Sequence, residues 1–318
     1  MPIVFGPVPS RRLGRSLGIN NIPPKSCSYS CRYCQVGTTH GTSVEPQVFY
    51  SPAKILEAVE TQLEKLSTVD EQIDYLTFVP DGEPGLDSQL GLMIEHLRPL
   101  GVPIAVITNG SLLWREDVRL AVARADWVSV KVDSVLDTAW RRLNRPHESL
   151  QLPVVLDGIR QFAGEFSGEM VTETMLVEGI NDSMESVAAT AEFLPTLGCA
   201  KAYLAVPTRP PADPTVRAPS EAVVNRAYQQ FAGYLQQVEL LIGYEGDAFA
   251  YSGDIEHDLL GITAVHPMRK SAVQSLLAKA GADWQVVDRL LASSKLVTTE
   301  HHGETFYMRR FSRQQTTE

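Results

Sequence analysis

Residues 25–35 read Lys25-Ser26-Cys27-Ser28-Tyr29-Ser30-Cys31-Arg32-Tyr33-Cys34-Gln35, which gathers three of the chain's four cysteines into eight positions. Thiols that dense are metal-bound, redox-active or disulfide-bonded. Three thiols cannot all pair with one another, and three ligands on a cubane iron–sulfur cluster leave one iron without a protein ligand. Clusters that only carry electrons close their corners with cysteine. A vacant coordination position is instead where a metal centre takes up a reactant. The spacing is Cys-x3-Cys-x2-Cys, with the aromatic Tyr33 just before the last cysteine.

Upstream, residues 6–21 are rich in turn formers and hold Arg11, Arg12 and Arg15. Glycines beside clustered guanidinium groups can wrap an anion; a solvated basic loop is the equal alternative. A short strand over residues 16–20 leads through Pro23-Pro24 into the cysteine loop. The C-terminal end of a first strand is where α/β barrels keep their active sites.

Downstream, strand and helix alternate. Ser51-Pro52 caps a helix whose Ile55, Leu56, Val59, Leu63 and Leu66 share a face. A strand over 73–79 ends in Asp81-Gly82-Glu83-Pro84, and one over 103–107 ends in Thr108-Asn109-Gly110. Residues 127–133 place Ser129, Lys131 and Asp133 on one face and three valines on the other. In a barrel a polar inward face near the mouth binds ligands; the inverted orientation is the alternative. A further strand over 171–177 carries Glu173, and the last, over 200–206, runs into a loop with Arg209. Six β/α units imply a partial (βα)6 TIM-like barrel over residues 1–245, closed by a helix over 220–237.

The cysteine loop, its aromatic, and Gly82-Glu83-Pro84 after the next strand together resemble the radical S-adenosylmethionine (radical SAM) superfamily. Taken alone, Gly82-Glu83-Pro84 would read as a turn with a surface glutamate. The resemblance implies a 4Fe–4S cluster on Cys27, Cys31 and Cys34, with S-adenosylmethionine as second cofactor. The implied chemistry is reductive cleavage of that cofactor to a 5'-deoxyadenosyl radical, with electrons from an external donor of flavodoxin or ferredoxin type. It also implies cofactor contacts from Tyr33, Gly82, Glu83, Pro84, Asn109 and Ser129. Lys131, Asp133 and Glu173 become candidate catalytic residues. Arg11, Arg12, Arg15, Arg145 and Arg209 become candidates for an anionic substrate, either a small molecule or RNA such as tRNA. The N-terminal segment looks most like an uncharacterised branch near the wyosine synthases, although this chain lacks a second cysteine triad.

The lone Cys199 reads as a core residue; a zinc site with Cys199 as fourth ligand is the competing structural reading. Residues 246–318 read as an acidic linker and then a small winged-helix-like unit, with helices over 268–280 and 284–292 and a hairpin over 295–309. From residue 266 onward there are eight Lys/Arg against five Asp/Glu, including Arg289, Lys295, Arg309, Arg310 and Arg313. That balance suits nucleic-acid docking, or else a packing cap with solvated charges. An iron–sulfur redox or S-adenosylmethionine-sensing regulator that binds nucleic acid is therefore the alternative to an enzyme. The formal net charge of -10 argues against a surface built wholly for nucleic acid. With no apolar run long enough to span a bilayer and no leader pattern, the expectation is a cytoplasmic protein without a membrane partner.

Overall fold

The computed structural model describes residues 3–39, 41–68, 71–242, 249–301 and 303–310. The chain opens with β1 (Val4–Ser10), which turns back as β2 (Gly14–Ile19) in an antiparallel pair. Then come α1 (Pro52–Ser67), β3 (Tyr75–Phe78), α2 (Leu90–Leu97), β4 (Ile104–Thr108), α3 (Glu116–Val122) and β5 (Trp127–Lys131). Two helices, α4 (Asp137–Asn144) and α5 (Leu152–Glu165), cross to β6 (Glu169–Met175). The barrel ends with α6 (Met184–Phe193), β7 (Lys201–Ala205), α7 (Glu221–Ala232) and β8 (Val238–Leu241). Strands β1 to β8 form one sheet in sequence order, parallel from β2 onward. Each parallel step needs a crossover, and helices supply it.

Local chemistry explains the elements. Ser51 caps α1 through its Oγ, which accepts the Lys54 N–H at 3.3 Å, and Pro52 occupies the first turn. Ile55, Val59 and Leu66 of that helix are buried. On β5 the alternation splits two cores: Val128 and Val130 join the layer under the helices, while Trp127 joins Ala105, Val171 and Tyr203 inside the barrel. Ser129 and Lys131 therefore face inward, as the alternation predicts.

In the barrel, two strands and one helix depart from the sequence expectation. β1 contains Pro7 and Pro9, residues that argue against a strand; it forms because it lies at the sheet edge, where missing donors are tolerated. β8 is only four residues long and follows a helix that stops at Ala232, earlier than expected. The hairpin turn bridges to it: Arg11 donates to the Ile242 carbonyl at 2.8 Å, tying the two edges of the open sheet together.

The C-terminal unit begins before Pro267, with α8 (Ile255–Val265). It continues through β9 (Met268–Arg269), α9 (Lys270–Lys279), α10 (Gln285–Ala292), β10 (Leu296–His301) and β11 (Glu304–Arg309), the last three strands pairing in the order β10-β11-β9. Its own core includes Phe249, Leu259, Ile262, Met268, Leu276 and Leu290, and Val8 of β1 packs against it. α8 lies against β1, so this unit covers the sheet edge. Arg313 lies outside the described residues.

Candidate active site

The cysteine loop leaves the C-terminal end of β2 and is clamped on both sides by backbone hydrogen bonds. On one side Glu83 N–H donates to Ser26 O at 2.9 Å and Lys25 N–H to Asp81 O at 2.7 Å. On the other, Ser30 N–H donates to Asn144 O at 3.1 Å and Arg32 N–H to Leu143 O at 2.9 Å. Gly82 is where the first clamp demands a missing side chain: its φ is 156°, and a Cβ there would sit 1.9 Å from the Ser26 carbonyl oxygen.

Cys27, Cys31 and Cys34 are free thiols, partly buried. N–H donors are aimed at two of the sulfurs: Tyr29 N–H lies 3.5 Å from Cys27 Sγ, Asn109 Nδ2 3.6 Å from the same sulfur, and Asn144 Nδ2 3.4 Å from Cys31 Sγ. Such donors suit sulfur that carries negative charge on a metal. Without one, burial first and Asp133 next push the Cys31 thiol up to about 12, burial and then the neighbouring Cys31 sulfur raise Cys27, and burial raises Cys34 although Lys25 works against it. Among the described residues no three His, Cys, Asp or Glu side chains converge on a single-ion site. A cubane asks for something different, one thiolate per iron, and three thiols spaced along one loop fit it. Ser129 Oγ, buried on the inner face with no hydrogen-bond partner among the described residues, is a polar atom that fits a ligand bound there.

Glu83 is 1% exposed and spends both oxygens on the protein. Oε1 accepts from Gly85 N–H at 3.0 Å and Thr108 Oγ1 at 2.7 Å, and Oε2 accepts from Asn109 N–H at 2.8 Å. Burial raises its carboxyl pKa, and these donors work against that rise. The side chain thus fastens the loop after β3 to the end of β4, and the backbone of Gly82 to Pro84 is what lies against the cysteine loop. Asn109 likewise turns to that loop, donating to Ser28 Oγ at 2.9 Å.

Asp133 is fully engaged too. One oxygen accepts from the Tyr33 hydroxyl and from Asn144 Nδ2 at 2.7 Å, and the other from Met175 N–H at 2.9 Å. It joins the cysteine loop to β5, β6 and the end of α4. Lys131 donates to Glu173 at 2.8 Å and lies 4.8 Å from the centre of the Tyr33 ring. Arg12 reaches across from the β1–β2 turn to the other Glu173 oxygen. Burial opposes charge on Glu173, yet Arg12, Lys131 and Arg209 prevail and hold its carboxyl down at about 2.

A cavity of 310 Å³ opens inside the barrel, lined by Tyr33, Cys34, Lys131, Glu173, Arg11, Arg12, Arg209 and His266 among others. Two of the expected substrate arginines lie elsewhere. Arg15 is the second residue of β2, at the far end of the strand from the cysteines, and pairs with Asp74 at 3.7 Å. Arg145 pairs with Asp213 at 3.1 Å, and half of its side chain faces solvent. Cys199 precedes β7, so it sits at the strand end opposite the cysteine loop, with Thr172 Oγ1 at 3.8 Å; it cannot be a fourth ligand. The resemblance implies that the turn at Asn144-Arg145-Pro146 faces the site, and Asn144 does reach it. Two contributors escaped the sequence reading: Asp81, hidden by the glycine beside it although it pairs with Lys25 at 2.9 Å, and His266, hidden by its distance along the chain.

Comparison with known proteins agrees with this geometry. The Radical SAM superfamily model matches residues 21–194, more than half of the chain. The UPF0026 protein MJ1312 of Methanocaldococcus jannaschii is 46% identical over 311 residues, covering 97% of this chain and 96% of that protein. A UPF0026 protein of Helicobacter pylori is 33% identical, covering 66% of this chain and 68% of its own. A radical SAM methyltransferase from Sphaerobacter thermophilus shares the fold with a TM-score of 0.55 at 17% identity, over 71% of this chain and 66% of its own. Streptococcus suis SuiB bound to S-adenosylmethionine does so at 0.52 and 12% identity, over 71% and 51%. The superfamily's cofactors are a 4Fe–4S cluster and S-adenosylmethionine, and Cys27, Cys31 and Cys34 fit its Cys-x3-Cys-x2-Cys ligand pattern. With that pattern on the loop after β2 of a partial barrel, this chain belongs to the radical SAM superfamily of enzymes.

Proposed function

We propose that this chain abstracts hydrogen from a substrate held in the barrel cavity. The observation that carries the reading is the three-thiol loop, with N–H donors on its sulfurs, whose last cysteine lines that cavity. A 4Fe–4S cluster would be held by Cys27, Cys31 and Cys34, and with S-adenosylmethionine bound and an electron from a flavodoxin- or ferredoxin-type donor it would supply a 5'-deoxyadenosyl radical, with methionine as the other product. The protein's own part is positioning and shelter. Gly82 to Pro84 and Asn109 brace the cysteine loop, Ser129 offers a hydroxyl and Tyr33 its ring on the inner face, and Asp133 holds Tyr33 in place through its hydroxyl. The Lys131–Glu173–Arg12 chain fixes charge on the cavity wall without a mobile proton, since Glu173 stays ionised. Surrounding apolar residues such as Leu13, Met175 and Leu241 keep water from that wall.

The chain divides in this reading into a barrel over 1–245 and a winged-helix-like unit over 246–318. Support comes from the second unit's separate core and its order of helix, strand, two helices and hairpin. Its basic residues favour packing over nucleic-acid docking. Lys295 pairs with Glu256 at 2.8 Å, Lys279 pairs with Glu71 of the barrel, and Arg309 donates to the Leu260 carbonyl at 3.4 Å.

Anaerobic reconstitution with iron and sulfide, then reduction with S-adenosylmethionine present, tests the enzyme reading. Formation of 5'-deoxyadenosine and methionine is expected. An intact cluster that yields neither would refute it.

A further inference from the structure

Two buried polar atoms on the cavity wall have no hydrogen-bond partner among the described residues: Nε of Arg12 and Nε2 of His266. Both residues lie outside the span 21–194 that matches the superfamily. One comes from the β1–β2 turn, the other from the residue that ends α8, so the two ends of the chain meet at this wall. His266 is 5% exposed, and Phe249 packs edge-on to its ring at 5.1 Å. Burial, with Arg209 nearby, pushes the imidazole pKa well down, which leaves the ring neutral with one N–H and one lone pair to offer.

Leaving such a group unsatisfied destabilises the folded chain, and the cost disappears when a ligand supplies the partner. The wall's other polar groups say what kind of partner. Arg12 carries donors beyond the one given to Glu173, Lys131 adds an ammonium, and Arg209 donates to Gln35 at 2.8 Å, right beside Cys34. Arginine forks match carboxylate and phosphate oxygens. The cavity volume of 310 Å³ is at the small-molecule end of the range, roughly 300–1,000 Å³, found for ligand pockets.

We propose that Arg12, Arg209 and His266 form a substrate subsite for a small molecule bearing a carboxylate or phosphate group, so that the C-terminal unit is part of the active site. The proposal rests on the radical-enzyme reading above and names its substrate class. An anion held beside Gln35 brings the substrate next to the cysteine loop, which is where hydrogen abstraction requires it.

The test uses the full-length, iron-loaded protein with S-adenosylmethionine and dithionite, and follows 5'-deoxyadenosine. The probes are a panel of small carboxylic acids and phosphate monoesters, each paired with its neutral amide or alcohol; whether the acids or the phosphates act tells the two sources apart. Acidic members are expected to raise the rate at least about tenfold and their neutral counterparts not. Arg12→Gln and His266→Gln are each expected to raise the half-saturating concentration of the active acid about tenfold, the loss of one hydrogen bond to a charged group. Iron content reports folding, and His266→Asn replaces His266→Gln where the latter loses iron. Equal stimulation by neutral members, no stimulation by any acid, or a shift in the half-saturating S-adenosylmethionine concentration in place of the acid's would overturn the proposal. Iron-loaded wild type that makes no 5'-deoxyadenosine at all would instead refute the enzyme reading, and the subsite with it.

Discussion

The side-chain amide of Asn144 sits 2.7 Å from Asp133 Oδ2 and 3.4 Å from Cys31 Sγ, so one nitrogen serves both the carboxylate that anchors the loop and a thiol of the cysteine triad. An N–H beside a cluster sulfur stabilises the extra electron of the reduced state. Asn144→Leu should therefore keep the brown chromophore but move the midpoint potential to a more negative value. An EPR-monitored redox titration measures this, and an unshifted midpoint would show that the amide only positions Asp133.

Cys31→Ala should abolish iron binding, whereas Cys199→Ala should retain the full iron and sulfide content. Cys199 stands at the wrong end of β7 to reach the triad. Iron and sulfide assays after anaerobic reconstitution decide it; equal loss in both variants would return Cys199 to the ligand set.

Glu83→Gln replaces an acceptor-only group that takes three donors. Whichever way the new amide turns, its NH2 faces an N–H or a hydroxyl. The expected loss is about 2 kcal/mol of stability, read as a lower urea midpoint, and a variant as stable as wild type would contradict the hydrogen-bond assignment.

Asp87 is 2% exposed, and burial pushes its carboxyl up to about 7 although the Gln89 N–H works against that rise. In the unfolded chain it titrates near 3.8. Between these values the folded state holds a proton that the unfolded state has released, so this group's contribution makes stability fall as pH rises from about 4 to 7. Above that window the penalty is constant. Asp87→Asn should remove the slope, and the stability difference should open in the variant's favour as pH increases. Urea midpoints of both proteins across the window measure it; parallel curves would mean that Asp87 stays ionised when folded.

Gly82→Ala should displace the cysteine loop, because the new methyl meets the Ser26 carbonyl at 1.9 Å. Reduced iron occupancy with the helical circular dichroism retained is the expected result. Normal occupancy would show that the loop can yield.

Much of this was legible in the residues because it depended on short-range pattern. Ser51-Pro52 announces α1, and the alternation through Ser129 and Lys131 assigns the inner face of β5. The triad and Gly82-Glu83-Pro84 mark their two loops in the right order. What the pattern hid was set by tertiary position. Pro7 and Pro9 disguised β1, whose edge location makes them tolerable, and β8 has too few residues to show a period. Arg15 and Arg145 carry the same charge as Arg12, and charge alone does not say which end of a strand a side chain reaches. His266 matters through partners far away in sequence.

The outer margin of β1 is where this sheet stops, and a bare sheet margin is a template on which a second chain can add a strand. Here the prolines delete two donors, the register slips between Phe5 and Val8, and α8 lies across the strand. The helix that carries His266 toward the cavity is therefore also a guard against self-association. A chain cut before residue 255 would lose both at once: its reaction chamber would stand open, and copies of it would be free to stack through the seam left behind.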